Sequence, residues 1–154
     1  MIIRQIETPL SAFDIFTLFK DRSNCIFFDS AMPHERLGRF SIIAFDPVTI
    51  FSSKGGSIRI AGRDGMQQTE GDPFDLLRSL LQQYQVDYDG PLPFIGGAAG
   101  YFGYDMRHHV AKLERRASDD IPVPDCFFGI YDGSIVVDHG TGAVYMTSAG
   151  ISDE

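Results

Sequence analysis

Apolar and polar positions alternate in several short stretches of the chain, and this pattern predicts β-strands. β-Branched and aromatic residues, which suit a pleated and half-buried surface, dominate residues 25–28, 40–45 and 48–51. Residues 57–61 alternate between polar and apolar, as expected for a strand with one wet face. Three further strands are predicted at residues 127–131, 134–138 and 143–147. Asp132 and Gly133 separate the first two of these and are typical of a tight turn.

Two stretches carry the 3.6-residue apolar period of an α-helix. Residues 9–20 form the first, with Ser11 as the predicted N-cap. Residues 72–84 form the second, in which Asp72 can cap the helix and Pro73 suits the first helical position. Short strands joined by turns, with helices inserted, predict an α+β fold of mainly antiparallel, sandwich-like sheets with two or more flanking helices. The apolar stripe of the second helix consists of Phe74, Leu77, Leu80, Leu81 and Tyr84.

Composition narrows the class of protein. The 154 residues suit a single domain, and 13 Lys and Arg against 21 Asp and Glu give a net charge of −8. Because such an acidic surface repels phosphate backbones, nucleic-acid binding is not expected. No apolar run approaches the ~18 residues of a membrane span, so no membrane association is predicted. Cys25 and Cys126 lack the spacing of a disulfide or metal motif, which favours a cytoplasmic protein.

One loop carries side chains that suit a small amphoteric ligand. Asp29 and Ser30 follow a predicted strand, and Arg39 precedes the next one. The carboxylate and the hydroxyl can accept hydrogen bonds from an ammonium group, while Arg39 or backbone N–H groups can donate to a carboxylate. The same residues also fit a plain turn in which Ser30 caps the loop and Arg39 forms a surface ion pair. The residues alone leave both interpretations open.

Other chemistry is weakly supported. The glycine-rich run at residues 96–103 lacks the Lys-Ser/Thr of a phosphate-binding loop, so a close approach of backbones is the favoured reason for its glycines. His34 with Glu35, and His108 with His109, are adjacent pairs, which point to different faces and form no natural metal chelate. Ser30 lacks the glycines of a nucleophile elbow, so a small hydrolase is the weakest alternative.

Four motifs, taken in order, carry a family resemblance. They are Asp29-Ser30, residues 38–43 leading to Asp46-Pro47, Gly96-Gly97 with residues 100–105, and residues 121–125 leading into 127–132. Together they resemble the N-terminal domain of chorismate-utilising synthases, namely anthranilate synthase component I and aminodeoxychorismate (para-aminobenzoate) synthase component I. The resemblance covers nearly the whole chain. Anthranilate synthases usually show Leu-Leu-Glu-Ser at the first motif, and the aspartate in residues 27–30 looks more like the aminodeoxychorismate branch.

The resemblance implies a division of roles. Residues 1–154 would form a single N-terminal domain, and the C-terminal domain that binds chorismate and magnesium and performs the chemistry would lie outside them. No catalytic residue is therefore assigned to this chain. The family's tryptophan pocket would take one wall from this chain and the other from the C-terminal domain. The pocket residues implied are Asp29, Ser30, Leu37, Gly38, Arg39 and Phe40, and those implied at the domain interface are Gly96, Gly97, Gly100, Tyr101 and Tyr104.

The same resemblance implies the function of the longer protein. Aminodeoxychorismate synthase component I converts chorismate and ammonia, supplied by a glutamine amidotransferase subunit, to 4-amino-4-deoxychorismate for para-aminobenzoate and folate biosynthesis. The present residues alone would be catalytically inert and would hold L-tryptophan weakly. The alternatives are the N-terminal domain of anthranilate synthase component I, in tryptophan biosynthesis, and a free-standing amino-acid-binding module.

Overall fold

The computed structural model describes residues 1–30, 38–111 and 121–152. None of the helices in these ranges has the length and apolar character needed to cross a membrane. The helices of the described residues are α1 (Ala12–Phe19), α2 (Pro73–Gln83), α3 (Arg107–Val110) and a 3-10 helix (Tyr104–Met106). The strands are β1 (Ile2–Ile6), β2 (Ile26–Phe28), β3 (Phe40–Ala44), β4 (Thr49–Lys54), β5 (Ser57–Gly62), β6 (Gly65–Glu70), β7 (Gly97–Phe102), β8 (Cys126–Tyr131), β9 (Gly133–Asp138) and β10 (Ala143–Ser148).

The chain divides into two compact units, each built mainly around one five-stranded sheet. The first unit comprises residues 1–48, 85–97 and 130–154, and the second comprises residues 49–84 and 98–129. The sheet of the first unit has the strand order β1-β10-β9-β3-β2, and that of the second has the order β6-β5-β4-β8-β7. Strand pairing in β1–β10, β10–β9, β9–β3, β3–β2, β4–β5 and β5–β6 is antiparallel. These sheets confirm the predicted α+β class with mainly antiparallel pairing.

Both faces of the first-unit sheet are covered by apolar side chains. Burial on both faces explains why β9 reads as a nearly continuous apolar run rather than an alternating one. One cluster joins α1 to the sheet through Ala12, Ile15, Ile43, Ile135, Val137 and Val144. A second cluster joins Val136 of the sheet to Leu92, Ile95 and Ala149.

The predicted helix starts are confirmed by their caps. The Ser11 hydroxyl accepts a hydrogen bond from the Asp14 amide at 3.2 Å, and the Asp14 carboxylate accepts one from the Ser11 amide at 3.0 Å. The Asp72 carboxylate accepts from the amides of Phe74 and Asp75 at the start of α2. The predicted stripe of α2 is wrong at Leu81, which is 37% exposed. Burial follows the i, i+4, i+7 face that Pro73, Leu77 and Leu80 share.

The predicted tight turn at Asp132-Gly133 is also wrong. The strands on either side of it, β8 and β9, belong to different sheets, so they form no hairpin. The Asp132 carboxylate instead accepts hydrogen bonds from the Ile151 amide at 2.8 Å and from the hydroxyls of Ser148 and Ser152 at 3.0 and 2.9 Å. Asp132 therefore anchors the segment that follows β10. Strand β6 was not predicted because all six of its residues are exposed and carry little apolar periodicity.

Candidate functional site

The motif residues of the predicted ligand loop come together at one end of the first-unit sheet. Strands β2, β3 and β9 are neighbours, with Phe28 opposite Ile42 and Phe40 opposite Asp138. Because antiparallel neighbours place the end of one strand beside the start of the next, residues 29–30, 38–41 and 138–139 meet there. We call Asp29, Ser30, Ser41 and His139 the strand-end cluster.

Ser30 is half-buried and is held by two hydrogen bonds to the start of β3. Its hydroxyl donates to the Phe40 carbonyl oxygen at 2.6 Å, and its amide donates to the Ser41 hydroxyl oxygen at 3.0 Å. The hydroxyl proton is therefore committed to the protein, whereas the oxygen keeps acceptor capacity for a donor outside these contacts. The position of Ser30 suits the acceptor role that the sequence suggested.

Ser41 and His139 are members of the cluster that sequence reasoning missed. Ser41 is fully buried, and its hydroxyl donates to Asp29 Oδ1 at 3.1 Å. The same hydroxyl oxygen lies 2.8 Å from Nε2 of His139. A polar residue inside the apolar stretch of β3 was the one available signal for Ser41, whereas His139 stands among turn residues that gave no signal.

Arg39 forms a two-pronged ion pair with a buried carboxylate. Its Nε and Nη2 atoms lie 2.9 and 2.7 Å from the two oxygens of Asp138, which is only 3% exposed. The Gly140 amide donates a further hydrogen bond to Asp138 at 2.9 Å. The hydrogen bonds from Arg39 are the main reason why the pKa of Asp138 falls to about 2. In the structure Arg39 thus makes an ion pair, but with a buried partner rather than a surface one.

This ion pair gives a prediction for stability against pH. Because the pKa of Asp138 is lower in the folded than in the unfolded protein, its stabilisation is complete above about pH 4 and is lost as the pH falls towards 2. We expect Asp138→Asn to lower the free energy of unfolding by about 2 kcal/mol at pH 7 and to remove this dependence. Urea titrations between pH 2 and 7 measure it, with exposed Asp64→Asn as the matched control. Parallel pH profiles for wild type and Asp138→Asn would contradict the assignment.

Of the remaining predicted pocket residues, Gly38 and Phe40 are described by the structure and Leu37 is not. Gly38 adopts a positive φ of 78°, a left-handed conformation that suits glycine far better than residues with a side chain. Phe40 lies at the start of β3, with the Arg39 guanidinium 4.7 Å from its ring centroid. Leu37, like the His34–Glu35 pair, lies outside the described residues.

Two of the three predicted interface glycines, Gly96 and Gly100, make close contacts within this chain, whereas Gly97 has a positive φ of 126° and no close contact. A Cβ atom on Gly100 would overlap the Phe127 carbonyl oxygen and would lie 2.7 Å from the Phe128 Cα atom. A Cβ on Gly96 would lie 2.5 Å from the Asp132 carbonyl oxygen. The absence of a side chain at these positions therefore has an internal reason, whereas the role of the same run in contacting another domain remains a prediction.

Strand β7 and the 3-10 helix that follows it carry exposed aromatic residues, which we call the β7 patch: Tyr101 and Phe102 in the strand and Tyr104 in the helix. Their exposed fractions are 40%, 52% and 79%. Phe102 also packs against the ring of Phe128, with the centroids 4.9 Å apart. Because β7 is the last strand in its sheet, the patch lies at a sheet edge, with Tyr101 and Phe102 on opposite faces of the strand, and exposed apolar side chains at an edge suit contact with another segment.

The expectation of magnesium can be compared with the His, Cys, Asp and Glu side chains of the described residues. Within residues 1–30, 38–111 and 121–152 there is no group of three or more His, Cys, Asp or Glu side chains arranged to hold a metal ion. His108 and His109 lie in α3, and His108 Nε2 is 3.8 Å from a carboxylate oxygen of Asp105. Magnesium therefore remains an expectation for a longer protein.

Comparison with known proteins gives a consistent family match. A family model described as chorismate binding enzyme matches residues 23–154. The chain is 33% identical to anthranilate synthase component 1 of Acetivibrio thermocellus, over 90% of this chain and 28% of that protein. It is 32% identical to aminodeoxychorismate synthase component 1 of Escherichia coli strain K12, over 71% of this chain and 25% of that protein.

A solved structure agrees with these relatives. The crystal structure of anthranilate synthase component I from Streptococcus pneumoniae TIGR4 superposes with a TM-score of 0.64 at 28% sequence identity. The match covers 94% of this chain and 31% of that one. The chain therefore spans roughly a quarter to a third of the length of the relatives that it resembles.

Proposed function

The chain belongs to the chorismate binding enzyme family, and on that premise we propose that it forms the N-terminal domain of an aminodeoxychorismate synthase component 1. The observation that supports a role as one domain of a longer synthase is the difference in coverage. The family match runs over residues 23–154, yet the chain corresponds to only 25% to 31% of its component 1 relatives. The reaction of such a synthase therefore requires a further segment of the protein.

The proposed reaction of the longer protein replaces an oxygen substituent of chorismate by nitrogen. Chorismate and ammonia give 4-amino-4-deoxychorismate and water, and a glutamine amidotransferase subunit supplies the ammonia. The name component 1, carried by relatives of both kinds, supports the requirement for a second subunit. Chorismate and magnesium would be held by the C-terminal part, and this chain would contribute no catalytic residue.

The proposed role of this chain is to form one wall of a tryptophan pocket. The exposed carboxylate of Asp29 and the acceptor oxygen of Ser30 suit the ammonium group of the amino acid. Gly38 and Arg39 lead into β3, which begins at Phe40, and Leu37 completes the proposed set. The second wall would come from the C-terminal part, as is usual for a ligand site at a domain interface.

The proposed contact with the C-terminal part is the β7 patch and the glycines beside it. Tyr101 and Tyr104 would provide the exposed aromatic surface, and Gly96, Gly97 and Gly100 would keep this flank free of further side chains. Aromatic residues are enriched where proteins bury surface against one another, and Tyr104 is the most exposed large side chain in the β7 patch.

A second candidate function is that of an anthranilate synthase component 1. The Acetivibrio thermocellus relative matches 90% of this chain, against 71% for the Escherichia coli aminodeoxychorismate synthase component, at nearly equal identity. The aspartate that precedes Ser30 favours the aminodeoxychorismate branch, because anthranilate synthases usually carry glutamate there. The first candidate depends on that one side chain and the second on the longer match.

Product analysis distinguishes the two candidates. The full-length protein is incubated with chorismate, ammonium and magnesium, and the products are separated by chromatography. The proposal predicts 4-amino-4-deoxychorismate, with no turnover by residues 1–154 alone. Formation of anthranilate would select the second candidate, and the absence of both products, in the presence of the amidotransferase subunit as well, would contradict membership in either branch.

A further inference from the structure

The buried hydroxyl of Ser41 connects three groups of the strand-end cluster. It lies 3.0 Å from the Ser30 amide, 3.1 Å from Asp29 Oδ1 and 2.8 Å from His139 Nε2. These groups come from two segments, because Asp29 and Ser30 both follow β2 whereas His139 follows β9. Ser41 itself is fully buried, so its hydrogen bonds must be satisfied within the protein.

The proton count at Ser41 fixes the direction of these bonds. A serine hydroxyl has one proton to donate and two lone pairs that accept. The amide of Ser30 can only donate, and the ionised carboxylate of Asp29 can only accept. The hydroxyl proton therefore points at Asp29, since two oxygen atoms 3.1 Å apart repel each other without a proton between them. The remaining lone pair then accepts from His139, which requires the proton of its imidazole to be on Nε2.

From this arrangement we infer that His139 is a positioning residue that acts through Ser41 to hold Asp29 for an ammonium group. The chain of donors runs from His139 Nε2–H to Ser41 and from Ser41 to Asp29 Oδ1. Among the described residues, Asp29 Oδ2 has no hydrogen-bond partner, and it remains available to the ligand. The inference rests on the proposed amino-acid pocket and assigns to it the selection of ligands that carry a primary ammonium group.

Selectivity for the ammonium group follows from the contacts that each residue of the strand-end cluster makes. Ser41 is fully buried and His139 is exposed at the end of β9, and the inference assigns the ammonium contacts to Asp29 and Ser30. Loss of the His139 donor frees the Ser41 hydroxyl to rotate and releases Asp29 Oδ1 from its fixed position. An indole ring and a carboxylate do not require Asp29, so their contribution to binding should be unaffected.

The test compares two ligands on the wild-type full-length protein and on two variants of it. L-Tryptophan carries an ammonium group, and indole-3-propionate has the same ring and carboxylate without it. We expect His139→Ala to weaken tryptophan binding by about threefold to tenfold, as for a lost hydrogen bond, and to leave indole-3-propionate binding unchanged. His139→Gln, whose amide can donate from a position near Nε2, should restore tryptophan binding.

Each contrary result has a distinct meaning. Equal weakening of both ligands by His139→Ala would show a purely structural role and would overturn the inference, as would unchanged binding of both. If the wild-type protein binds no tryptophan, the proposed pocket itself is wrong, and the inference about its selectivity fails for that reason. The ¹⁵N resonances of the His139 ring provide a test without ligand: a proton on Nδ1 rather than Nε2 would contradict the donor chain in either case.

Discussion

Replacing Gly100 by alanine is expected to destabilise the protein by at least about 3 kcal/mol or to prevent its folding. The added methyl group would overlap the Phe127 carbonyl oxygen and come within 2.8 Å of the Phe127 carbonyl carbon. These atoms belong to the backbone of β8, the neighbour of β7 in the sheet, so they cannot move aside as a side chain would. Relief of the overlap would require β7 to separate from β8.

A matched glycine provides the control for this prediction. Gly56 lies in the turn between β4 and β5, and a Cβ atom there would meet no atom within 4 Å. Gly56→Ala should therefore change the midpoint of thermal unfolding little, whereas Gly100→Ala should lower it strongly or yield insoluble protein. A soluble Gly100→Ala variant with the melting temperature of the wild type would contradict the close packing of β7 on β8.

Removing the Ser30 hydroxyl is expected to lower tryptophan affinity in the full-length protein by about 1–3 kcal/mol, or about 5-fold to 150-fold. In the structure this hydroxyl is fixed by its bond to the Phe40 carbonyl oxygen, which leaves its acceptor lone pairs for another donor. In Ser30→Ala the ligand ammonium would lose an acceptor, and the Phe40 carbonyl would lose its donor. Ser30→Thr, which keeps the hydroxyl, is the matched control and should retain most of the affinity.

The composition of the chain removes one source of background from a fluorescence measurement. The chain has no tryptophan of its own, so indole fluorescence excited at wavelengths that spare tyrosine reports the ligand and not residues 1–154. Calorimetry gives the same constant independently in the full-length protein. Equal affinities for wild type, Ser30→Ala and Ser30→Thr would exclude Ser30 from the pocket, while the loss of binding in both variants would indicate a packing role.

Local chemistry explains which parts of the fold could be predicted from the sequence. Helix starts depend on side chains within a few residues, and Ser11 and Asp72 cap as expected for that reason. Strands with strong apolar character, such as β4 and β10, were also predicted. The turn at Asp132 was not, because the choice between a hairpin and a change of sheet depends on Ile151 and other residues distant in sequence.

In the candidate site, too, contacts between residues distant in sequence were not predicted. Asp29, Ser30 and Arg39 belong to motifs and were identified from the sequence, but their partners were not. Asp138 and His139 reach the site only because β9 pairs with β3, and no local pattern predicts which strands become neighbours. The pairing of β3 with β9 therefore produces both the ion pair between Arg39 and Asp138 and the hydrogen bond between His139 and Ser41.

The central claim is that this chain is part of a larger synthase and contacts a chorismate-binding segment through the β7 patch. The most direct measurement mixes residues 1–154 with the proposed C-terminal segment, expressed separately, and follows complex formation by calorimetry and gel filtration. The control for the surface is a pair of variants: Tyr104→Asp in the β7 patch, and Met66→Asp on β6, which is exposed at the opposite edge of the same sheet.

We expect a stoichiometric complex that Tyr104→Asp weakens and Met66→Asp leaves intact. A buried charge lowers the magnitude of the binding free energy most where aromatic surface becomes buried. The absence of association between the two wild-type segments, or of any chorismate-binding segment in the full-length protein, would contradict the claim. Equal association of both variants would show that the contact lies elsewhere on the chain.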